Sequence, residues 1–332
     1  DDAQGEASAT WRTGAGTDFG QGGRLPGVLE LSGRLGQARA AAVGRYLPLG
    51  IGPDTRAWVQ RAVQGGELHN VSFRVKGDLW EFPFVNRRDG DFRIAGELKD
   101  VTLAPVPPAP GENWPAFGQV AGELVFERNA MQFQKARGRL WGVELGDVQG
   151  RIRDLSPQAV LELEGTARGP AADFLRYVAT TPIGDWLGQA LAPASASGAA
   201  ELKLGLNIPL SHSVDTVLRG SLTLPGNDLR LRPDVPALAN ARGRIDFTQR
   251  GFQLQGLHVQ ALGGEAQLDG GSQADGSLRF SASGTASIDG LRRTPELGAL
   301  ARAAAQWQGR VQGQAGYRLQ LGLVRGQPEI SL

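Results

Sequence analysis

Residues Gly66 to Phe84 read GELHNVSFRVKGDLWEFPF. In an extended chain successive side chains point to opposite faces, so Val71, Phe73 and Val75 share one side while Ser72, Arg74 and Lys76 share the other. The same two-faced pattern recurs almost to the end of the chain. It is found in GVLELSGRL (Leu29, Leu31, Leu35), DFRIAGEL (Phe92, Ile94, Leu98), GQVAGELVF (Val120, Leu124, Phe126), AELKLGLNI (Leu202, Leu204, Leu206, Ile208), GRIDF (Ile245, Phe247), GSLRFSA (Leu278, Phe280, Ala282) and YRLQLGL (Tyr317, Leu319, Leu321). Strands buried in a parallel sheet would be apolar on both faces, so these predict antiparallel sheet with one wet face. Turn signals such as RRDG, LPGND, TQRG and DGGSQADG separate them, giving about fifteen strands.

The phase of alternation slips between Leu68 and Val71 and again between Leu98 and Val101, which predicts bulges that bend and twist the sheet. Glycine inside strands, at Gly96, Gly122, Gly165, Gly205 and Gly322, fits sharp curvature or close backbone approach. Helical signals are few. GPDTRAWVQRAV opens on Pro53 and Asp54; GPAADFLRYVATTPIGDWLGQAL reads as two short helices broken at Thr181-Pro182; TPELGALARAAAQW is a third helix with Thr294 as its N-cap. Such helices can plug a sheet of this size but not cover it. The proline-rich segment Val106 to Pro115 reads as a loop, since strands resume on both sides. The chain is therefore expected to be one elongated, repeat-like β segment over residues 1–332, with helical insertions near 52–65, 169–192 and 293–307.

Composition narrows the function. Glycine is 48 of 332 residues, about twice the usual ~7%, with no collagen period, and a 41% hydrophobic content argues for a folded chain. Thirty-five Lys and Arg against 34 Asp and Glu, interleaved, imply no nucleic-acid partner. The absence of cysteine excludes disulfides and thiolate metal sites. The opening DDAQGEASATWRTGAG lacks the features of a signal peptide, and the closing YRLQLGLVRGQPEISL stops within a predicted strand, so a fragment of a longer protein is expected.

Motifs for catalysis are missing. His69, His212 and His258 are far apart, with no ligand partner at helical spacing. No nucleophile elbow, phosphate loop or dinucleotide fingerprint appears, and the Leu-Gly-Gly at 262–264 lies between strands and reads as a β-turn. Carboxylate pairs such as Glu162/Glu164 and Asp246/Glu265 read as solvated groups on a wet face, although a carbohydrate-active enzyme built on such a pair is a third possible reading. No catalytic residue, metal site or cofactor is assigned.

What remains is the apolar face. It either packs against a second sheet as a closed β-sandwich core, or lines a sheet curled into an open trough that holds something apolar. Three segments bear on the choice. Gly44–Phe84 (GRYLPLGIGPDTRAWVQRAVQGGELHNVSFRVKGDLWEFPF), Ala172–Leu191 (ADFLRYVATTPIGDWLGQAL) and Leu224–Gly270 (LPGNDLRLRPDVPALANARGRIDFTQRGFQLQGLHVQALGGEAQLDG) together resemble the YhdP branch of the AsmA-like superfamily of Gram-negative envelope proteins.

The resemblance implies a mainly β fold: a long, strongly curved antiparallel sheet forming an open apolar groove, taco-like, with a few short helices. It implies bridge-like lipid transfer across the periplasm, with phospholipid as partner, an inner-membrane anchor that this sequence lacks, outer-membrane or other envelope proteins as further partners, and no catalysis. On that reading Val71, Phe73, Val75, Phe92, Ile94, Leu202, Leu204, Leu206, Ile245, Phe247, Phe280 and Leu319 contact acyl chains. The alternative is a non-catalytic envelope scaffold with a closed sandwich core.

Overall fold

The computed structural model describes residues 2–15, 23–47, 51–106, 113–306, 313–324 and 327–331. Residues 107–112 of the proline-rich loop, Trp307 at the end of the third predicted helix and the terminal Leu332 lie outside them. The chain is mainly β. The strands are β1 (Ala3–Ala15), β2 (Gly23–Arg39), β3 (Val63–Asp78), β4 (Gly90–Leu103), β5 (Phe117–Glu127), β6 (Ala130–Leu140), β7 (Val143–Ile152), β8 (Val160–Pro170), β9 (Ser195–Ala196), β10 (Ala199–Pro209), β11 (Val217–Arg230), β12 (Leu238–Thr248), β13 (Gly251–Ala261), β14 (Gly264–Ser272), β15 (Leu278–Ser287), β16 (Gln314–Val324) and β17 (Gln327–Ser331). All seventeen belong to one sheet. The helices are short: α1 (Pro53–Ala62), α2 (Ala171–Thr180), α3 (Ile183–Trp186), α4 (Ile288–Arg292) and α5 (Ala299–Gln306).

The chain divides into two compact units, the first comprising residues 1–140, 144–165 and 206–216, the second 141–143, 166–205 and 217–332. In the first, β1 to β6 pair antiparallel in chain order. The two phase slips in the sequence are bulges here. Asn70 has φ 50° and the β3–β4 register shifts between His69 and Ser72; Asp100 has φ 51° and the β4–β5 register shifts between Leu98 and Val101. Gln119 in β5, Lys135 in β6 and Asp147 in β7 adopt the same left-handed backbone. Each extra residue bends its strand while returning the next apolar side chain to the inner face. The turn is tight enough to need glycine across from it: a β-carbon on Gly96 would lie 3.0 Å from Val71 Cγ2, and one on Gly165 2.9 Å from Val148 Cγ2.

One end of the first unit is sealed. Ala38, Ala40, Ala42, Ala62, Val101 and Ala104 are buried there, where α1 meets the start of β3, and Trp58 donates to the Pro105 carbonyl at 3.0 Å. Small side chains allow helix and sheet backbones to approach closely.

In the second unit β11 to β17 pair antiparallel in order, and β9 joins β11. Its core gathers Ala171, Ala200, Leu224, Ala241, Leu257, Val259 and Ala266, with Phe174 of α2 packed against it. Helix α2 is held by Asp173, which accepts from Gly142 N at 3.1 Å, and by Arg176, whose guanidinium stands 4.1 Å over the Trp141 ring. Asn227, fully buried, donates to the carbonyls of Ser197 at 2.7 Å and Ala199 at 2.9 Å, tying β11 to the β9–β10 connection.

The helix expected from Thr294 takes another form. Pro295–Leu297 is a 3-10 turn, Gly298 at φ 53° interrupts the chain, and α5 begins only at Ala299. Helix α4 precedes it, capped by Ser287, whose hydroxyl accepts from Gly290 N at 3.0 Å. Strand β1 is not among the strands expected from the sequence, because, of the residues it sets on the apolar side, Gly5, Ala7, Ala9 and Trp11, only the last is large.

Candidate functional site: a half-covered apolar face

Residues directly opposite in an antiparallel ladder share a face. In the first unit the register therefore builds one apolar row from Ala7, Gly33, Phe73, Ile94, Phe126 and Met131, crossing β1 to β6. Ala9, Leu31, Val75 and Phe92 form the row beside it. Val71 lies towards the sealed end and is buried. Phe73, Val75 and Phe92 are half-buried and Ile94 is 36% exposed.

The second unit repeats the arrangement. Gly220, Phe247 and Phe252 make one row; Leu222, Ile245, Leu254, Gly270 and Phe280 make the next. The Phe252 and Phe280 rings lie with centroids 6.1 Å apart. Leu319 of β16 stands opposite Ala282 and is half-buried, as are Leu202 and Leu204 of β10. Leu206, on the same strand, belongs to the first unit and is half-buried too.

The large apolar side chains of these rows are thus mostly half-buried, neither sealed in a core nor fully in the open. Among the described residues Phe84 is the one large apolar side chain that is less than 2% exposed, and the remaining buried set is dominated by alanine and valine. A sandwich would bury the large residues of each inner face to native density.

Rings and glycines are matched across strands. A β-carbon on Gly33 would lie 2.4 Å from Phe73 Cζ, one on Gly150 2.4 Å from Phe133 Cζ, and one on Gly220 2.3 Å from Phe247 Cζ. Each phenyl ring lies down across the neighbouring strand, in the space a side chain would otherwise fill. The rows also contain Leu31, Phe126, Met131, Phe252 and Leu254, which the sequence reading left out of the lining. Their position opposite Val, Ile and Phe neighbours is set by the register and not by the sequence pattern.

The other face is ionic. Arg74 pairs with Asp91 at 2.5 Å and Lys76 with Glu30 at 2.9 Å. Glu67 collects His69 at 2.7 Å and Gln37 at 2.6 Å, and these hydrogen bonds, His69 first, hold its carboxyl below the usual range. The Glu162 carboxyl is lowered by hydrogen bonds from Arg153 at 2.7 Å and Arg151 at 2.8 Å. His69 thus has the Glu67 carboxylate as a partner two residues away, at strand rather than helical spacing.

The register separates the other acidic pair. Asp246 lies opposite Gln253, and Glu265 opposite Gln260, seven residues along β13. At ~3.4 Å per residue that is roughly 24 Å, beyond the ~5–9.5 Å of a glycosidase dyad. Among the described residues no group of three or more His, Asp or Glu is placed to hold a metal. Leu262 and Gly263, at φ 56° and 78°, form the two-residue hairpin turn expected of Leu-Gly-Gly. No described helix is long and apolar enough to cross a membrane.

A family model described as YhdP protein matches residues 4–323. No curated protein and no solved structure matches the chain.

Proposed function

The chain belongs to the YhdP family, and from that premise we propose that it is a periplasmic, non-catalytic segment of a bridge-like lipid-transfer protein whose apolar face shields phospholipid acyl chains between inner and outer membrane. The supporting observation is the half-covered pair of apolar rows in each unit, Phe73–Ile94–Phe126 and Ile245–Leu254–Phe280 among them. An acyl chain laid along such a row is removed from water at ~0.8 kcal/mol per methylene. The headgroup remains at the wet edge, so movement along the rows involves no bond making or breaking. Val71, buried against the sealed end, frames the lining in this reading, while Phe73, Val75, Phe92 and Ile94, with Leu206, meet the chain in the first unit. Leu202, Leu204, Ile245, Phe247, Phe280 and Leu319 do so in the second.

Native mass spectrometry of the purified chain tests this. Co-purified phospholipid is expected, and Phe73→Asp or Phe280→Asp, each placing a charge within a row, is expected to reduce it while circular dichroism stays unchanged. A lipid-free particle, or lipid that is retained in both variants, refutes the reading and favours an envelope scaffold with a closed core.

A further inference from the structure

The connection between β3 and β4, Leu79 to Asp89, is built as a fixed projection. Phe84 is fully buried although its backbone is left-handed, φ 60°, an arrangement that costs roughly 1–3 kcal/mol for a bulky residue and must be held by its surroundings. It is held well. Arg128 donates to the Phe84 carbonyl at 2.8 Å and to the Gly90 carbonyl at 2.9 Å, and its guanidinium faces Asp91 at 3.6 Å. Phe82 packs edge-on against Phe84 and Phe92, with centroids 5.8 Å and 4.9 Å away.

On this support the outward residues are apolar. Trp80 and Val85 are each 63% exposed. Trp11 and Leu25 are 52% and 49% exposed at the same end of the strands, where Val28 pairs with Asp78 and Gly77 with Gly90. Trp11 is steered there by its indole, which donates to the Pro26 carbonyl at 2.9 Å. The exposed charges beside them are mostly cationic: Arg12, Arg87 and Arg88 against Glu81. Of the other nearby acids, exposed Glu127 stands opposite exposed Arg93 in the ladder, and three more are engaged or partly covered. Asp78 accepts from Trp80 N at 3.0 Å, Asp91 pairs with Arg74, and Asp89 is half-buried.

We propose that this strand-end edge of the first unit docks on the surface of a phospholipid bilayer. Trp80, Val85, Trp11 and Leu25 enter the headgroup–acyl boundary, and Arg12, Arg87 and Arg88 meet the phosphates. Indole rings favour that boundary because one side is apolar and the N–H is wet, and arginines near an anionic leaflet gain electrostatic binding. A rigid projection loses little conformational freedom on insertion. Docking is separable from acyl chains lying in the rows, since Trp80, Val85 and Leu25 lie outside them and Trp11, opposite Leu29, stands one pair beyond the Ala9–Leu31 row at their end.

Vesicle co-sedimentation tests it with the whole chain. Binding is expected to vesicles of phosphatidylcholine with phosphatidylglycerol, and to be weaker with phosphatidylcholine alone. Arg87→Gln/Arg88→Gln is expected to lower the partition coefficient on the anionic vesicles about thirty-fold, from the ~1 kcal/mol each arginine contributes near such a surface. Trp80→Ser/Val85→Ser is expected to lower it at least about tenfold. Trp186→Ser, at a position 73% exposed in the second unit, is expected to change nothing. Circular dichroism monitors folding, and native mass spectrometry of the same variants is expected to show co-purified lipid unchanged, so failure of docking and failure of the groove are separable. Absent binding, binding insensitive to both edge variants, equal loss in Trp186→Ser, or edge-dependent dimerisation without lipid would each overturn the proposal.

Discussion

Gly220 permits a decisive test of how the apolar face is constructed. Its φ is one that any residue adopts, and the three atoms nearest to a β-carbon there would be Cζ, Cε2 and Cε1 of Phe247, at 2.3, 2.5 and 3.0 Å. On backbone grounds alone Gly220→Val should stabilise, since glycine in a strand costs ~0.5–1 kcal/mol and a β-branched residue suits the pleat. The ring reverses the sign. Displacing it adds an overpacking cost of ~1–3 kcal/mol, leaving Gly220→Val destabilised by roughly 1 kcal/mol. Phe247→Ala removes a half-buried ring and costs roughly 2 kcal/mol, about half the full-burial value. In that background Gly220→Val fills space the ring has vacated and recovers ~1 kcal/mol, so the double variant is about 2 kcal/mol more stable than additivity predicts. Urea unfolding of the four proteins measures the cycle. If Gly220→Val stabilises both backgrounds equally, the ring does not lie over the glycine and the reasoning fails.

Three further outcomes are expected. Arg128→Ala strips two donors from the Phe84 and Gly90 carbonyls and should cost roughly 2–4 kcal/mol, with hydrogen-exchange protection lost first around residues 79–90. Asn227→Asp sets an acceptor against the Ser197 and Ala199 carbonyls in a fully buried site and should lower the urea midpoint by at least about 3 kcal/mol of stability, far more than Asn240→Asp on the half-buried β12 bulge. The Tyr177 phenol is pushed up to about 12 by burial, so the folded state favours its neutral form. That contribution is complete below pH ~10 and is lost as pH rises from there towards 12; Tyr177→Phe should flatten stability across this window, as read by urea midpoints from pH 8 to 12.

Much of the architecture can be read in the chain. Period-2 alternation marks the strands because one face is apolar and the other wet, and the interruptions at Leu68–Val71 and Leu98–Val101 mark bulges because an extra residue must reset the phase. Thr181-Pro182 separates α2 from α3 because the residue before proline avoids helical backbone. Other features depend on partners the sequence does not align. β1 hides because Ala and Gly suffice where its neighbour supplies Leu31 and Leu35. Gly33 and Phe73 are forty residues apart in the chain, and only the β2–β3 register brings them face to face. The half-buried state of each row is likewise invisible, since it comes from contacts between residues far apart in the chain.

The left-handed residues Asn70, Asp100, Gln119, Lys135 and Asp147 have an additional consequence for assembly. In a plain ladder a strand can slide by two residues and still present the same side chains to the same face. A strand carrying a bulge cannot, because sliding sets its surplus residue against a regular stretch and forfeits the glycine that faces the residue beside it, as Gly96 faces Val71 next to Asn70. Each bulged strand therefore admits one alignment with the partner that faces its bulge, as at β3–β4, β4–β5 and β5–β6. A sheet extended in this way can grow long without accumulating errors of register.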